Sequence, residues 1–362
     1  MNQGLSAVIG AVPTKATLPI LETILFESED GKLKITATDL EISIIEYIEA
    51  EIEEEGAVAI PARMLLETLR QLPGIPVFFE IDERQSILFK TDKGTYKLVG
   101  EEADEFPALP DMKESVFVES ETKLVKNAIE KTSFAVSNDD LRPAMMGVFF
   151  DIGEEGSTFV ATDGHRLVRF TNEHISSSEP LSFIVPEKAL NLVAKAIEDE
   201  YCTLAISNDH AQFKSGKTIE ITRLINEQYP NYDSVIPREN DKFLTIEKAQ
   251  MLATVKRVSV FSSSSSRQIR LMLDKDKLTI RAEDIDLSSE AKETISCDYD
   301  YEPMEIGFNA RYLADIIGNV EGDDVLFEFS TPNRAGIVKP VKESEGEDIL
   351  MLVMPVMLNS YV

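Results

Sequence analysis

The sequence predicts an α+β protein made of three tandem copies of a β-rich domain with two helices each. Three observations carry that expectation: an acidic corner, a helix-opening motif and a strand motif each recur, always in the same order. The corner follows an alternating stretch and reads Thr36-Ala37-Thr38-Asp39, Val160-Ala161-Thr162-Asp163 and Arg281-Ala282-Glu283-Asp284. Its last residues lie 124 and 121 positions apart. The helix opener reads Ile60-Pro61-Ala62-Arg63, Val185-Pro186-Glu187-Lys188 and Phe308-Asn309-Ala310-Arg311, with basic residues 125 and 123 apart. The strand reads Ile24-Leu25-Phe26, Gly147-Val148-Phe149-Phe150 and Ile269-Arg270-Leu271-Met272-Leu273. A period of this kind outranks any single motif, because it fixes the architecture. It places three domains at 1–112, 113–238 and 239–362.

The elements follow from periodicity. Lys32-Leu33-Lys34-Ile35-Thr36 and Thr279-Ile280-Arg281 alternate with period two between Gly, Asp and Lys turn residues, as half-buried strands do. Met64, Leu65, Leu69 and Leu72 follow Pro61 at helical spacing, and proline is tolerated in a first helical turn. Leu190, Val193, Ala194 and Ile197 repeat the pattern after Pro186, and Leu313, Ile316 and Ile317 after Asn309. A further helix precedes the first strands of the second and third copies, at 121–137 and 245–261. The Ser262–Ser266 run reads as a flexible loop. Sheets with helices on one face follow.

Composition narrows the function. The 362 residues hold 65 acidic and 36 basic side chains, a net charge of −29, which excludes a surface that is nucleic-acid-binding all over. Cys202 and Cys297 are too few for a disulfide framework or a four-ligand zinc site. No apolar run approaches the roughly 20 residues that span a bilayer. Met1-Asn2-Gln3-Gly4 brings no basic stretch before its short apolar run, so no secretory leader is expected. The expectation is a soluble cytoplasmic protein, with no cofactor and no metal.

Positive charge is not spread evenly. The five expected helices, 61–72, 121–137, 186–198, 245–261 and 309–320, hold eleven basic and seven acidic residues inside this acidic chain. Arg63 and Arg70 are seven apart, hence on one helical face, and Lys188 and Lys195 repeat the pair. Lys123 and Lys131 correspond in the same way to Lys248 and Lys256. Solvated helix faces are the plain explanation; the recurrence favours a weakly positive helical surface that meets a polyanion.

Several stretches together resemble the bacterial DNA polymerase III beta subunits, the replicative sliding clamps. They are Thr17-Leu18-Pro19-Ile20-Leu21, Thr38-Asp39-Leu40-Glu41, Glu105-Phe106-Pro107, Ala161-Thr162-Asp163-Gly164-His165-Arg166-Leu167, Tyr229-Pro230-Asn231-Tyr232, Ile306-Gly307-Phe308-Asn309 and Leu352-Val353-Met354-Pro355. The resemblance implies the DNA clamp fold in a head-to-tail homodimer, with sheets outside and twelve helices lining a ring. Such a ring encircles duplex DNA without sequence specificity and tethers the polymerase. A topological tether needs only a modest positive lining, since each neutralised phosphate adds salt-sensitive affinity without sequence information. By family position the DNA-facing residues are Lys15, Arg63, Arg142 and Lys188; the repeat adds Arg70, Lys123, Lys131, Lys195, Lys248 and Lys256.

The resemblance also implies a pocket that captures short linear peptides of the replicative and other polymerases, the clamp loader and repair proteins. Its matching positions begin with Met145, Thr162, Gly164, His165, Arg166, Leu167, Pro230 and Val235. They continue with Asn309, Tyr312, Arg334, Gly336, Leu352, Val353, Met354, Pro355 and Leu358. Adaptable methionines and an apolar cleft with a few polar anchors suit that task. Ser234 and Ser266 stand where some relatives carry larger side chains, and the chain runs on through Asn359-Ser360-Tyr361-Val362. For the dimer, Tyr96 and Leu98 match one side and Val260 and Phe261 the other. Family members open with a strand ahead of the first helix, whereas this sequence begins inside that helix.

Two other readings carry less. Asp163-Gly164-His165-Arg166 contains acid–base residues, yet the chain has only His165, His174 and His210 and none of the common nucleotide-loop, nucleophile-elbow or metalloprotease motifs. Asp39, Asp163 and Asp284 are single carboxylates at turns, where turn chemistry accounts for them. A repeat-built scaffold that never touches DNA fits the acidic charge. Retention on circular DNA that is lost on linearisation separates clamp from scaffold.

Overall fold

The computed structural model describes residues 1–358, so the tail Asn359-Ser360-Tyr361-Val362 lies outside the described residues. Among the described residues no helix is long and apolar enough to cross a membrane. The first repeat comprises α1 (Asn2–Val8), β1 (Thr23–Glu29), β2 (Lys32–Thr38), β3 (Ile42–Ile48), β4 (Ala57–Pro61), α2 (Ala62–Gln71), β5 (Phe78–Ile81), β6 (Ser86–Lys90) and β7 (Thr95–Val99). The second adds a leading strand: β8 (Val116–Glu121), α3 (Thr122–Thr132), β9 (Gly147–Gly153), β10 (Gly156–Thr162), β11 (Arg166–Asn172), β12 (Leu181–Pro186), α4 (Glu187–Ala196), β13 (Tyr201–Ile206), β14 (His210–Ser215) and β15 (Thr218–Arg223). The third has the same plan: β16 (Lys242–Glu247), α5 (Lys248–Ser259), β17 (Gln268–Asp274), β18 (Lys277–Asp284), β19 (Ser289–Ser296), β20 (Met304–Asn309), α6 (Ala310–Asn319), β21 (Asp324–Phe329), β22 (Gly336–Pro340) and β23 (Glu347–Val353).

The helices stop short of their expected ends for local reasons. After α3, Ser133–Ala135 tightens into a 3-10 turn, and the Thr132 hydroxyl donates back to the Ala128 carbonyl at 2.6 Å. At the start of α5, Thr245 and Ile246 are held in β16, which pairs with β21. α6 carries a side-chain cap: Asn309 Oδ1 accepts from the Arg311 and Tyr312 amides. Its Leu313, Ile316 and Ile317 are fully buried, each worth about 1.5–3 kcal/mol relative to exposure.

The strands do not stay within their repeats. The chain forms two compact units, residues 1–126 with 185–225 and residues 127–184 with 226–362. The first holds an eight-stranded antiparallel sheet in the order β4-β1-β2-β3-β15-β14-β13-β8 and a three-stranded sheet β5-β6-β7. The second holds an eight-stranded sheet in the order β12-β9-β10-β11-β23-β22-β21-β16 and a four-stranded sheet β19-β18-β17-β20. Each large sheet therefore joins one repeat to the next along a seam, β3 to β15 and β11 to β23. The equivalent edges left over are β19 and β7.

Candidate functional site

The second corner is built by its own side chains. Asp163 Oδ1 accepts from the His165 and Arg166 amides at 2.8 and 2.9 Å. Thr162 Oγ1 accepts from the Gly164 amide and donates to the Arg166 carbonyl. These are the Asx and Thr turn bonds that the sequence suggested, and they occupy the carboxylate as turn chemistry. Gly164 sits at φ +87°, and a Cβ there would come within 2.6 Å of Arg142 Nη1. Glycine meets both demands.

Above the corner the side chains form a ladder onto α6. Arg166 is 8% exposed, donating Nε to Asp163 and Nη1 to Asp315 at 3.1 and 2.6 Å. Its guanidinium lies 5.2 Å over the Tyr312 ring and 5.6 Å over Phe134. His165 stacks on Tyr312 with centroids 5.4 Å apart. The Asn309 cap fixes the first turn of α6, and with it Tyr312. The Met354 amide donates to the His165 carbonyl at 2.8 Å and the Val356 amide to the Gly307 carbonyl at 2.9 Å, which ties the segment after β23 to this corner. Leu358 closes over Gly307, where a Cβ would come within 2.6 Å of its Cδ2.

Beneath lies an apolar cluster of Val160, Leu167, Ala335, Ile337, Leu350 and Leu352. Phe149 and Tyr229, stacked on each other with centroids 4.9 Å apart, pack against it, and the Tyr229 hydroxyl donates to the Val160 carbonyl. Burial holds the Tyr229 phenol well above its ordinary value, so it stays protonated. Thr162, Arg166, Leu167, Gly336, Leu352 and Val353 are buried and frame the site, whereas Gly164, His165, Val235, Arg334 and Met354 are exposed. Met145, Pro230, Asn309, Tyr312, Pro355 and Leu358 are half-buried between them. Arg334 pairs with Glu239 at 3.5 Å. Ser234 and Ser266 are both exposed. Sequence reasoning missed Asp315, Phe134 and the exposed Met357. Asp315 stands one turn after Tyr312 and could have been found from that spacing.

A cleft of about 440 Å³ lies elsewhere, at the third corner, lined by Ser263, Ser266, Arg270, Arg281 and Asp284. The chemistry of the second corner is richer than that of the cleft, and size alone does not rank them.

Eight of the ten expected DNA-facing cations do not sit in the interior: Lys15, Arg63, Arg70, Lys123, Arg142, Lys188, Lys195 and Lys256 are all exposed. Arg63 and Arg70 are exposed on α2 beside its buried Leu65, Leu66 and Leu69, and Lys188 and Lys195 lie opposite the buried Leu190 and Val193 of α4. Several carry partners: Lys123 pairs with Glu121, Arg142 with Asp139 and Lys188 with Asp39. Lys131 departs from the expectation. It is 7% exposed, bonded to Glu347 at 2.8 Å and Glu321 at 3.2 Å, with its ammonium 4.7 Å over Phe170. A side chain neutralised inside the protein is not offered to DNA. Lys248 is half-buried and donates to the Val320 carbonyl at the end of α6.

The expected dimer residues divide as well. Val260 and Phe261 are exposed, at 78% and 41%. Tyr96 is half-buried, stacked on Phe89 at 4.8 Å. Leu98 belongs to its own chain's core, because along β7 it faces inward with Tyr96 while Thr95, Lys97 and Val99 face out.

A threefold β-rich repeat whose sheets run across repeat boundaries defines the class of DNA clamp folds. The comparisons agree. Family models for the N-terminal, central and C-terminal domains of the DNA polymerase III beta subunit match residues 1–110, 119–231 and 233–356. The beta sliding clamp of Caulobacter vibrioides is 31% identical over 340 residues, covering 91% of each chain. That of Synechococcus elongatus is 29% identical over 372 residues, covering 99% of this chain and 98% of its own. The crystal structure of the DNA polymerase sliding clamp from Pseudomonas aeruginosa superimposes with a TM-score of 0.93 at 28% identity, over 99% of this chain and 97% of that one. The chain belongs to the DNA polymerase III beta subunit family, and its function is that of a sliding clamp: a non-catalytic tether holding the polymerase on DNA.

Proposed function

We propose that two copies close head to tail by pairing β7 of one with β19 of the other, and that the closed ring threads duplex DNA. The observation that carries this reading is the seam rule. In both large sheets the strand that follows the acidic corner of one repeat pairs with the last strand of the next, as β3 does with β15 and β11 with β23. Applied once more, the rule matches β19, the third such strand, to β7 of a second chain. Both are edge strands, and an edge leaves backbone donors and acceptors to be satisfied. The residues near them are apolar and exposed: Val99 at 68%, Val260 at 78%, Ile285 at 64% and Leu287 at 76%. A head-to-tail contact stays finite only when its rotation closes. The three repeats, 1–112, 113–238 and 239–362, are the domains of this ring.

The exposed helix cations then line the opening, and the second corner with the Met354–Leu358 segment captures linear peptides of polymerases, the clamp loader and repair proteins. Exposed Met354 and Met357 offer adaptable apolar contact, and His165 and Arg334 the polar anchors. A cytoplasmic site of action follows from this role. The test is retention on nicked circular plasmid after loading. The expected result is a two-chain species in sedimentation that stays on circular DNA at high salt and leaves on linearisation. A single-chain species, or equal retention on linear DNA, overturns the reading.

A further inference from the structure

The two seams are built alike in register but not in chemistry. Counting from the acidic corners, Ile42 pairs with Thr222 as Arg166 pairs with Val353. Two residues on, Ile44 pairs with Glu220 where the second seam pairs Val168 with Met351. Two further on, Glu46 pairs with Thr218 where the second seam pairs Phe170 with Ile349. All of these residues are buried, so one seam places two acids on the sheet face that the other fills with Met351 and Phe170. The fold itself does not require the acids.

Their situations differ. Glu46 is satisfied, accepting from the Thr218 hydroxyl and pairing with Lys217 at 3.2 Å. Glu220 is 1% exposed and neither of its carboxyl oxygens has a hydrogen-bond partner. The groups around it supply none. On the β14 side it faces Phe213, flanked by Ala211 and Ser215; on the β3 side it faces Ile44, with the already paired Glu46 diagonal to it. α1, which packs over Glu46 and Ile48, carries no ionisable side chain. On α4, packed against β15, the charged residues are half-buried Glu187 and exposed Lys188 and Lys195, and Lys188 is bound to Asp39. An ionised carboxylate in such surroundings carries a large uncompensated desolvation cost.

We propose that the β3–β15 seam is proton-controlled: Glu220 carries its proton while the seam is closed and releases it to solvent when the seam opens. The seam joining the first and second repeats therefore loosens towards alkaline pH, and the seam joining the second and third does not. The sign follows from linkage. Burial raises the Glu220 carboxyl well above its ordinary 4.5 in the closed state, while in the open state it is an ordinary carboxylate. Closure is strongest below the ordinary value and weakens as pH climbs towards the raised one, with an opening constant rising up to about tenfold per pH unit.

Hydrogen exchange of the full chain, read by mass spectrometry and corrected for intrinsic rates, tests this. Opening of β3 and β15 between about pH 6 and about pH 9 is compared with β11 and β23 as an internal reference. In the unaltered chain the first seam is expected to gain on the order of tenfold in corrected opening per pH unit, with the second seam flat. Glu220→Gln, nearly isosteric and uncharged, is expected to remove the slope, and Glu220→Met, which copies the second seam, to remove it as well. Equal pH responses at the two seams, or a slope that survives Glu220→Gln, overturn the proposal. Because neither readout involves DNA or a second chain, the test is independent of ring closure.

Discussion

The first and second corners share one backbone and serve different ends. Thr38 and Asp39 make the same bonds as Thr162 and Asp163: the Thr38 hydroxyl accepts from the Leu40 amide and donates to the Ile42 carbonyl, and Asp39 Oδ1 accepts from the Glu41 and Ile42 amides. The third residue has positive φ in both, +80° at Leu40 and +87° at Gly164. The difference lies in the next two positions. Glu41-Ile42 leaves the second oxygen of Asp39 to Lys188, whereas His165-Arg166 reaches Tyr312 and Asp315 on α6 and receives the Met354 segment. A repeated corner is thus a scaffold, and two side chains decide whether it docks α6 and the segment after β23.

The largest effect should come from removing what only the second corner has. Truncation after Val353 deletes residues 354–362, the Met354–Leu358 segment among them. It is expected to weaken capture of a polymerase-derived peptide by more than about a hundredfold in fluorescence anisotropy, on the scale of losing a hot spot, while sedimentation still reports the dimer. Retained affinity would assign peptide capture to another surface. Next, Arg166→Ala strips a buried cation from Asp163 and Asp315 and should cost on the order of 3 kcal/mol in chemical denaturation. Its counterpart Lys188→Ala, whose side chain is 59% exposed, should cost under about 1 kcal/mol. Equal costs would erase the contrast between the corners. Smaller again, Gly164→Ala forces a Cβ against Arg142 at positive φ and should cost about 1–2 kcal/mol, whereas Leu40→Gly relieves the same backbone strain and should gain up to about 1 kcal/mol; thermal melts read both. The smallest change is expected from neutralising Lys15, Lys195 and Lys256 together. It should lower the salt sensitivity of clamp loading by a few charges, uniformly across DNA sequences, and a sequence-dependent change would point to base readout instead.

Much of this was written in local pattern. The three corners, the helix openers at Pro61, Pro186 and Asn309, and the strand alternations are short-range signals, and the structure places an element at each. The Thr162–Leu167 run was legible for the same reason, since its turn bonds are made within four residues. What pattern could not supply was long-range. Lys131 sits at helical spacing from Lys123 like any surface lysine, and it is Glu321 and Glu347, far along the chain, that hold it inside. Leu98 is placed at the dimer by the resemblance alone, and a strand's period of two does not say which of its faces the chain itself covers. The compact units likewise cross the repeats, because strand pairing between neighbouring repeats leaves no local trace in the sequence.

Under the proposed pairing, the edges β7 and β19 make a single chain an unfinished object with two different sticky ends. Every head-to-tail encounter that does not seal the circle then leaves an end free to recruit another copy. Under that pairing abundance and lifetime are bound together: dilution frees ends, and a contact whose rotation does not close propagates into a fibre.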